Sequence, residues 1–237
     1  MSEAHAIRCL VAGQAGAGTV PAMPLTPFTQ HASPGARTVW VSRHGRTTDN
    51  ERKVHQGWAD TQLSPGGMAD ANAARPWWAG VAVSWVVTSP VRRAVQTGEV
   101  LFGAVDDIDS GWVESAIPGI VGLTYAQAYA ARPDLYGADG WAAPRSRRDP
   151  AAEHEATICD RVLGALRRAA GTVDPGGHVA VVTHGSALYA LVDAASQGRA
   201  AKSAFTPGNL AVLELLVDPA AGWTLLGVHS PLARATL

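Results

Sequence analysis

Two histidines, each followed by a glycine, stand at the ends of apolar, β-branched stretches of the chain. His44 comes shortly after the stretch 38–41, and His184 directly follows the stretch 177–183. The carboxyl ends of parallel strands meet at one edge of a sheet, where α/β folds bind their ligands. We therefore expect the two imidazoles to lie close together at that edge.

Two arginines accompany these histidines. Arg43 precedes His44, and Arg93 follows a third apolar stretch, 81–88, by a few residues. Arginine presents a planar fork of donors that matches phosphate oxygens, and a neutral histidine is a competent nucleophile towards phosphorus. The pattern indicates a site for a phosphoryl group, and what it lacks is a general acid for the departing oxygen.

The spacing of apolar residues predicts the elements that position these side chains. Strands are predicted over 38–41, 81–88, 177–183, 211–217 and 223–229, with helices over 65–79, 90–102, 124–131, 153–170 and from 185 onward. Strands that alternate with helices predict a mostly parallel sheet with helices on both faces. Asp107 and Asp109 are expected on a solvated strand edge, and three tryptophans (Trp77, Trp78 and Trp85) between helix and sheet.

Composition narrows the class of protein. The chain has 237 residues and a net charge of −1, with 47% hydrophobic residues. Such a chain folds into a real core, and its neutral balance removes the general electrostatic case for a nucleic-acid or membrane partner. Cys9 and Cys159 belong to no metal-binding or disulfide spacing and are expected to be free thiols in a reducing compartment.

The first 36 residues differ from the rest. They are rich in glycine and proline without periodicity, which predicts a flexible extension over 1–36 and one domain over 37–237. The segment has no long apolar centre or clear cleavage site of a signal peptide, and no stretch has the length of a membrane helix. A cytoplasmic protein is expected.

Four blocks in order resemble the histidine phosphatases, the phosphoglycerate mutase-like superfamily. They are RHGRTTDN (43–50), GWADTQLSPGG (57–67), SPVRRAVQT (89–97) and THG (183–185). The stretch WVESAIPGIVGLTY (112–125) is similar to the family segment that carries its acid. The resemblance covers about residues 37–237 and implies a three-layer α/β/α sandwich with a mostly parallel central sheet.

The resemblance also implies roles for six residues and no cofactor or metal. His44 would be the nucleophile that becomes phosphohistidine, and Glu114 the general acid and base. The phosphoryl oxygens would be held by Arg43, Arg93, Asn50 and His184, and His184 is expected to be protonated in the transition state. His44 must be neutral to attack, so its other ring nitrogen is expected to donate to a backbone carbonyl.

Three residues depart from the family pattern. Arg46 stands where glutamate or glutamine is commoner, and Val121 and Pro118 replace a glutamate and a glycine of the acid segment. We expect hydrolysis of a small phosphate ester, with an altered rim around the site that puts the family's usual substrates in doubt. Phosphoglycerate mutase-type transfer and an inactive phosphate-binding module stay open as alternative functions. A homodimer is also possible.

The segment 115–150 is expected to form the wall over the pocket. Its aromatic residues and arginines could accept a sugar or ring with a second acidic group, and a solvated loop is an equal alternative. The side chains concerned are Tyr125, Tyr129, Tyr136, Trp141, Arg145, Arg147 and Arg148.

Overall fold

The structure is a computed structural model, and it describes residues 33–136, 150–196, 205–218 and 222–232. The expected extension over 1–36 therefore falls almost wholly outside the described residues. The described strands are β1 (Arg37–Arg43), β2 (Val83–Thr88), β3 (Asp107–Ile108), β4 (His178–Thr183), β5 (Val212–Asp218) and β6 (Gly222–His229). The helices are α1 (Thr48–Glu51), α2 (Pro65–Ala79), α3 (Arg92–Phe102), α4 (Tyr125–Ala131), α5 (Glu155–Ala170) and α6 (Gly185–Ala195).

The strands form one sheet in the order β3-β2-β4-β1-β5-β6. The pairings β3–β2, β2–β4 and β4–β1 are parallel, whereas β5 and β6 run antiparallel to their neighbours. The mostly parallel sheet is confirmed. Strands β1 and β4 are adjacent at its centre, so the two predicted histidine segments leave the sheet side by side.

Side chains of β1 alternate between two hydrophobic cores, as expected for a strand covered on both faces. Val39 and Val41 pack with α5 and α6, and Trp40 packs on the opposite face with α2 and α3. This confirms the three-layer sandwich. The tryptophans expected between helix and sheet are placed accordingly, with Trp77 and Trp78 on the α2 side and Trp85 on the α5 side.

Two helix starts differ from the prediction for reasons of local chemistry. Helix α3 begins at Arg92 rather than Pro90, because Val91 is extended (φ −74°, ψ 131°) and forms the N-cap. Helix α5 begins at Glu155, after His154 accepts the Ala156 N–H at 3.2 Å. At α5, a capping side chain thus fixes the helix start more sharply than apolar spacing does.

Of the two aspartates expected on a solvated strand edge, Asp107 and Asp109, only Asp107 has those surroundings. Asp107 lies exposed on β3 as expected. Asp109 instead accepts the Gly111 N–H at 2.7 Å and pairs with both Nε and Nη2 of Arg168 at 2.9 Å. It is a capping residue that ties the turn after β3 to α5.

Candidate active site

The carboxyl ends of β1 and β4 open into a cavity of about 520 Å³. Arg43 and Thr183 are register partners, and the imidazoles of His44 and His184 lie 5.2 Å apart between ring centroids. The wall of the cavity includes five of the six predicted site residues, Arg43, His44, Asn50, Arg93 and Glu114. His184 is fully buried next to His44. The structure thus brings together all six.

His44 is held in one tautomer by two contacts. Its Nδ1 lies 2.7 Å from the carbonyl oxygen of Gly45, which can only accept, so Nδ1 carries the proton. Its Nε2 accepts from Nε of Arg93 at 3.2 Å. Burial, Arg93 and Arg43 lower the pKa of His44 well below 6.5, against the opposing effect of the Gly45 contact. The ring is therefore neutral with its lone pair on Nε2, which confirms the expected hydrogen bond to a backbone carbonyl.

Arg93 is a buried cation fixed by the backbone of the loop before α2. Its Nη1 donates to the Ala59 carbonyl at 3.0 Å, and its Nη2 donates to the Gly57 carbonyl at 2.8 Å. Burial lowers the pKa of Arg93, and the nearby Glu114 carboxylate opposes that shift. Because a guanidinium group stays protonated at any working pH, Arg93 keeps its charge beside His44.

Arg43 reaches the same cavity from the end of β1. Its Nη1 donates to the Pro207 carbonyl at 2.6 Å, and its buried Nε has no hydrogen-bond partner among the described residues. An unpartnered buried donor costs free energy unless a ligand satisfies it. Arg43 Nε is the atom nearest to the open side of Gly185, 3.8 Å from where a Cβ would lie.

His184 is neutral in this structure, and its expected protonation in the transition state stays a prediction. Its side chain is fully buried, and burial together with His44, Arg93 and Arg43 lowers its pKa well below 6.5. Its Nε2 lies 2.7 Å from Oγ of Ser89, and its Nδ1 is buried without a partner in the described part of the chain. A cationic imidazole between two guanidinium groups would need an anion to stabilise it.

The neutral state of both rings predicts a pH-dependent stability. Their folded-state pKa values lie below the ordinary value of 6.5, so the unfolded chain takes up protons that the folded chain does not. Their contribution is complete above that pH and is lost as the pH falls, by about 1.4 kcal/mol per pH unit and ring. Between pH 7.5 and 5.5, the free energy of unfolding measured in urea should fall more for the wild type than for His184→Gln. Equal pH dependences of the two proteins would contradict the assignment.

Glu114 lies half-buried in the segment between β3 and α4. Its Oε1 accepts the Ser115 N–H at 2.8 Å, and its main-chain carbonyl accepts from Nε1 of Trp58 at 2.5 Å. The Ser115 N–H is shared with Oγ of Ser186, at 3.2 Å, on the first turn of α6. These contacts place one carboxyl oxygen in a hydrogen bond and leave the other for the cavity that Glu114 lines.

Asn50 belongs to a capping box at the start of α1. Thr47 Oγ1 accepts the Asn50 N–H at 3.0 Å, and Asn50 Oδ1 accepts the Thr47 N–H at 3.2 Å. Since the carbonyl end of the amide is used in this way, its N–H₂ end is the donor that remains for the cavity.

The glycines after the two histidines serve different purposes. Among the residues that the structure describes, a Cβ on Gly185 would meet only Arg43 within 4 Å, so this position is open to a ligand as expected. A Cβ on Gly45 would lie 3.2 Å from Leu63 and 3.5 Å from Thr97, away from any open space. Gly45 is closely packed in the loop, and Thr97 Oγ1 accepts its N–H at 2.9 Å.

Only one of the three departures from the family pattern lies on the cavity. Arg46 points away from it, with Nη2 2.7 Å from Asp70 and Nη1 3.7 Å from Glu51. Arg46 therefore does not form part of the cavity wall, and local carboxylates pair its charge. Pro118 is exposed beyond the wall, and Val121 lines the cavity.

The expected aromatic wall is present in part. Tyr125 lines the cavity and packs against His55, 4.6 Å between ring centroids. Tyr129 is exposed and Tyr136 is buried, and neither is on the wall. The other members of that set, Trp141, Arg145, Arg147 and Arg148, lie outside the described residues.

Sequence reasoning missed the side of the cavity formed by α5 and α6. One face of α6 contributes Gly185, Ser186, Tyr189, Ala190 and Asp193, and α5 contributes Glu155, Ile158 and Cys159. The available signal was the helical spacing of these residues, but the face mixes apolar and polar side chains and so has no clear character in the sequence. Burial and the carboxylates of Asp160 and Asp193 raise the pKa of the Cys159 thiol, which is therefore protonated.

Comparison with known proteins places this geometry in a context. A family model described as the histidine phosphatase superfamily (branch 1) matches residues 39–235. The chain is similar to glucosyl-3-phosphoglycerate phosphatase of Mycobacterium tuberculosis, at 32% identity over 165 residues, 66% of this chain and 74% of the relative. It is 28% identical to phosphoglycerate mutase-like protein 4 of Arabidopsis thaliana over 162 residues, 65% of this chain and 69% of the relative.

A solved structure supports the same fold. The native mycobacterial glucosyl-3-phosphoglycerate phosphatase superposes with a TM-score of 0.63 at 26% identity, over 81% of this chain and 97% of that chain. Within the described ranges, no helix combines the length and apolar character needed to cross a membrane.

Proposed function

The chain belongs to branch 1 of the histidine phosphatase superfamily, and we propose that this phosphatase hydrolyses small phosphomonoesters through a phosphohistidine on His44. The observation that carries the proposal is the state of His44: neutral, buried, with its proton on Nδ1 and its lone pair on Nε2. That is the state required of a nitrogen nucleophile.

In the first half of the reaction, Nε2 of His44 attacks phosphorus and the ester oxygen leaves. The N–P bond forms with the nitrogen lone pair, the P–O bond breaks, and the electron pair stays on the leaving oxygen. Protonated Glu114 gives its proton to that oxygen, so the product departs as an alcohol. Arg93 Nε, which now donates to His44, transfers its hydrogen bond to a phosphoryl oxygen as the lone pair is used.

In the second half, water displaces His44 from phosphorus. The Glu114 carboxylate takes a proton from the water while the O–P bond forms and the N–P bond breaks. Inorganic phosphate leaves, and His44 and Glu114 return to their starting states. No step requires a metal or a cofactor.

The remaining donors hold the charge that develops on the phosphoryl oxygens. These donors are the unpartnered Nε of Arg43, the Nε of Arg93, which the two bonds of its Nη atoms hold in place, and the amide of Asn50, all from residues that line this cavity. Donors that are already fixed need no reorganisation during the reaction, which makes them effective in stabilising the transition state. A phosphoryl dianion here also raises the pKa of His184, so that this ring gains its proton only with substrate bound.

The cavity volume suits a small metabolite, since pockets for such ligands span roughly 300–1,000 Å³. Tyr125, His55 and Tyr189 offer ring faces for the alcohol part of the ester. Because the Mycobacterium tuberculosis relative is named for glucosyl-3-phosphoglycerate, that ester heads a screen that also includes phosphoglycerate, phosphoserine and sugar phosphates.

The test is to trap the phosphoenzyme in excess EDTA. Enzyme mixed with 4-nitrophenyl phosphate and quenched in alkali within milliseconds should carry one acid-labile, alkali-stable phosphate, and fragment mass spectrometry should place it on His44. Steady turnover with no phosphoenzyme under any quench, or turnover abolished by EDTA, would overturn the proposal. Transfer of the trapped phosphate to added glycerate, rather than to water, would indicate a mutase.

A further inference from the structure

Asn209, in the segment before β5, contacts two residues of the candidate site, His44 and Asn50. Its Nδ2 lies 3.0 Å from the main-chain carbonyl of His44 and 3.2 Å from Oδ1 of Asn50. It belongs to none of the sequence blocks that carry the family resemblance, and its side chain is not part of the cavity wall.

The orientations of both amides follow from backbone groups whose roles are fixed. The His44 carbonyl can only accept, so the Asn209 atom facing it is the N–H₂ group. The Thr47 backbone N–H can only donate, so the Asn50 atom facing it is the oxygen. Neither amide can be turned round without placing two donors or two acceptors against each other.

Asn50 Oδ1 consequently accepts two hydrogen bonds, from Thr47 and from Asn209. The two bonds hold the carbonyl end of Asn50 away from the ligand and leave its N–H₂ end for the cavity. An amide turned the other way would present an oxygen to phosphoryl oxygens, which would repel them.

The backbone around Asn209 is shaped to make these contacts. Leu210 has φ 64°, in the left-handed region that a leucine rarely adopts, while its side chain is buried in the core under α2. Its N–H donates to the carbonyl of Arg43 at 3.1 Å, and the Pro207 carbonyl accepts from Nη1 of Arg43. Strain of this kind persists only where surrounding contacts stabilise it, and it is commonest at functional sites.

We propose that Asn209 is a positioning residue that fixes the Asn50 amide as a hydrogen-bond donor to the phosphoryl group. The inference rests on the proposed function, because it assigns Asn50 to the phosphoryl end of the cavity. Asn209 does not touch the substrate, and its effect on phosphate binding passes through Asn50.

The test is a double-mutant cycle read by binding of inorganic phosphate, measured by calorimetry, with turnover of 4-nitrophenyl phosphate as a second readout. Asn209→Ala and Asn50→Ala should each raise the phosphate Kd by about tenfold, the effect of losing one charge-assisted hydrogen bond. The double variant should bind no more than about twofold worse than Asn50→Ala alone, because Asn209 acts through Asn50. Asn72→Ala on α2, which removes an exposed amide that donates to Met68, is the matched control and should leave Kd unchanged.

Asn209→Asp covers the case in which Asn209→Ala fails to fold, because it keeps the shape of the side chain and loses both donated bonds. Its effect on phosphate Kd should be at least as large as that of alanine and smaller in the Asn50→Ala background. Losses that multiply in the double variant, or an Asn209→Ala Kd within twofold of wild type, would overturn the inference. Wild type that binds phosphate but forms no phosphohistidine would overturn the proposed function alone, and wild type that binds no phosphate would overturn both.

Discussion

Replacement of His44 by alanine is expected to abolish phosphatase turnover, with kcat lowered by at least about 10⁴-fold. The side chain supplies the nitrogen that bonds to phosphorus, and no other described nucleophile occupies its place between Arg93 and the Gly45 carbonyl. Water cannot efficiently replace His44 as the nucleophile, because Glu114 acts first as the acid for the leaving oxygen and only then as the base for water. The measurement is steady-state hydrolysis of 4-nitrophenyl phosphate in EDTA by wild type and variant.

His178→Ala is the matched control for that experiment. His178 begins β4, the strand that ends at the active site, and its Nδ1 accepts from Nε1 of Trp40 at 3.1 Å. Its loss removes an imidazole from the same strand at the opposite end, so kcat should stay within about threefold of wild type. Residual activity in His44→Ala of more than a hundredth of wild type would show that another group forms the bond to phosphorus. A parallel loss in both variants would indicate damage to the fold instead.

The sequence was sufficient to predict the centre of the site because the two histidines sit at strand ends. Strands β1 and β4 are short, apolar and buried on both faces, so their position at the middle of a parallel sheet follows from their composition. Once they are adjacent, the chain direction alone brings His44 and His184 together. The antiparallel direction of β5 and β6 could not be predicted in the same way, because apolar spacing carries no information on strand direction.

The charge state of the His184 ring in this structure and the ion-pair partners of Arg46 could not be predicted from the sequence, for a shared reason. Sequence pattern shows which charged groups are near in the chain, but not which of them share a buried space. Burial lowers the pKa of His184 most, and His44, Arg93 and Arg43, which come from other parts of the chain, lower it further. Arg46 lies off the cavity wall, where its side chain pairs with Asp70 on α2.

The role of Asn209 could not be predicted from the sequence either. A positioning residue needs only one amide at one distance, and a single asparagine in a turn has no recognisable pattern. Its importance becomes visible only when the hydrogen bonds of His44 and Asn50 are traced to their partners.

Glu114→Gln is expected to separate substrates by the basicity of their leaving groups. Glutamine keeps the size of the side chain and can still accept the Ser115 N–H, but it has no proton to give to the ester oxygen. Alkyl phosphates, whose alkoxides need protonation, should lose about 10²–10⁴-fold in kcat/KM. 4-Nitrophenyl phosphate, whose phenolate leaves unprotonated, should lose less than about tenfold in the phosphorylation step.

The measurement is kcat/KM for a series of aryl and alkyl phosphates, with Glu99→Gln, an exposed change on α3, as the matched control. Wild type should show a shallow dependence on leaving-group basicity and Glu114→Gln a steep one, because only the variant leaves negative charge on the departing oxygen. Equal losses across the series would instead assign Glu114 to binding, through its field on Arg93. The slope of the series thus distinguishes a proton donor from a counter-charge, which a single substrate could not.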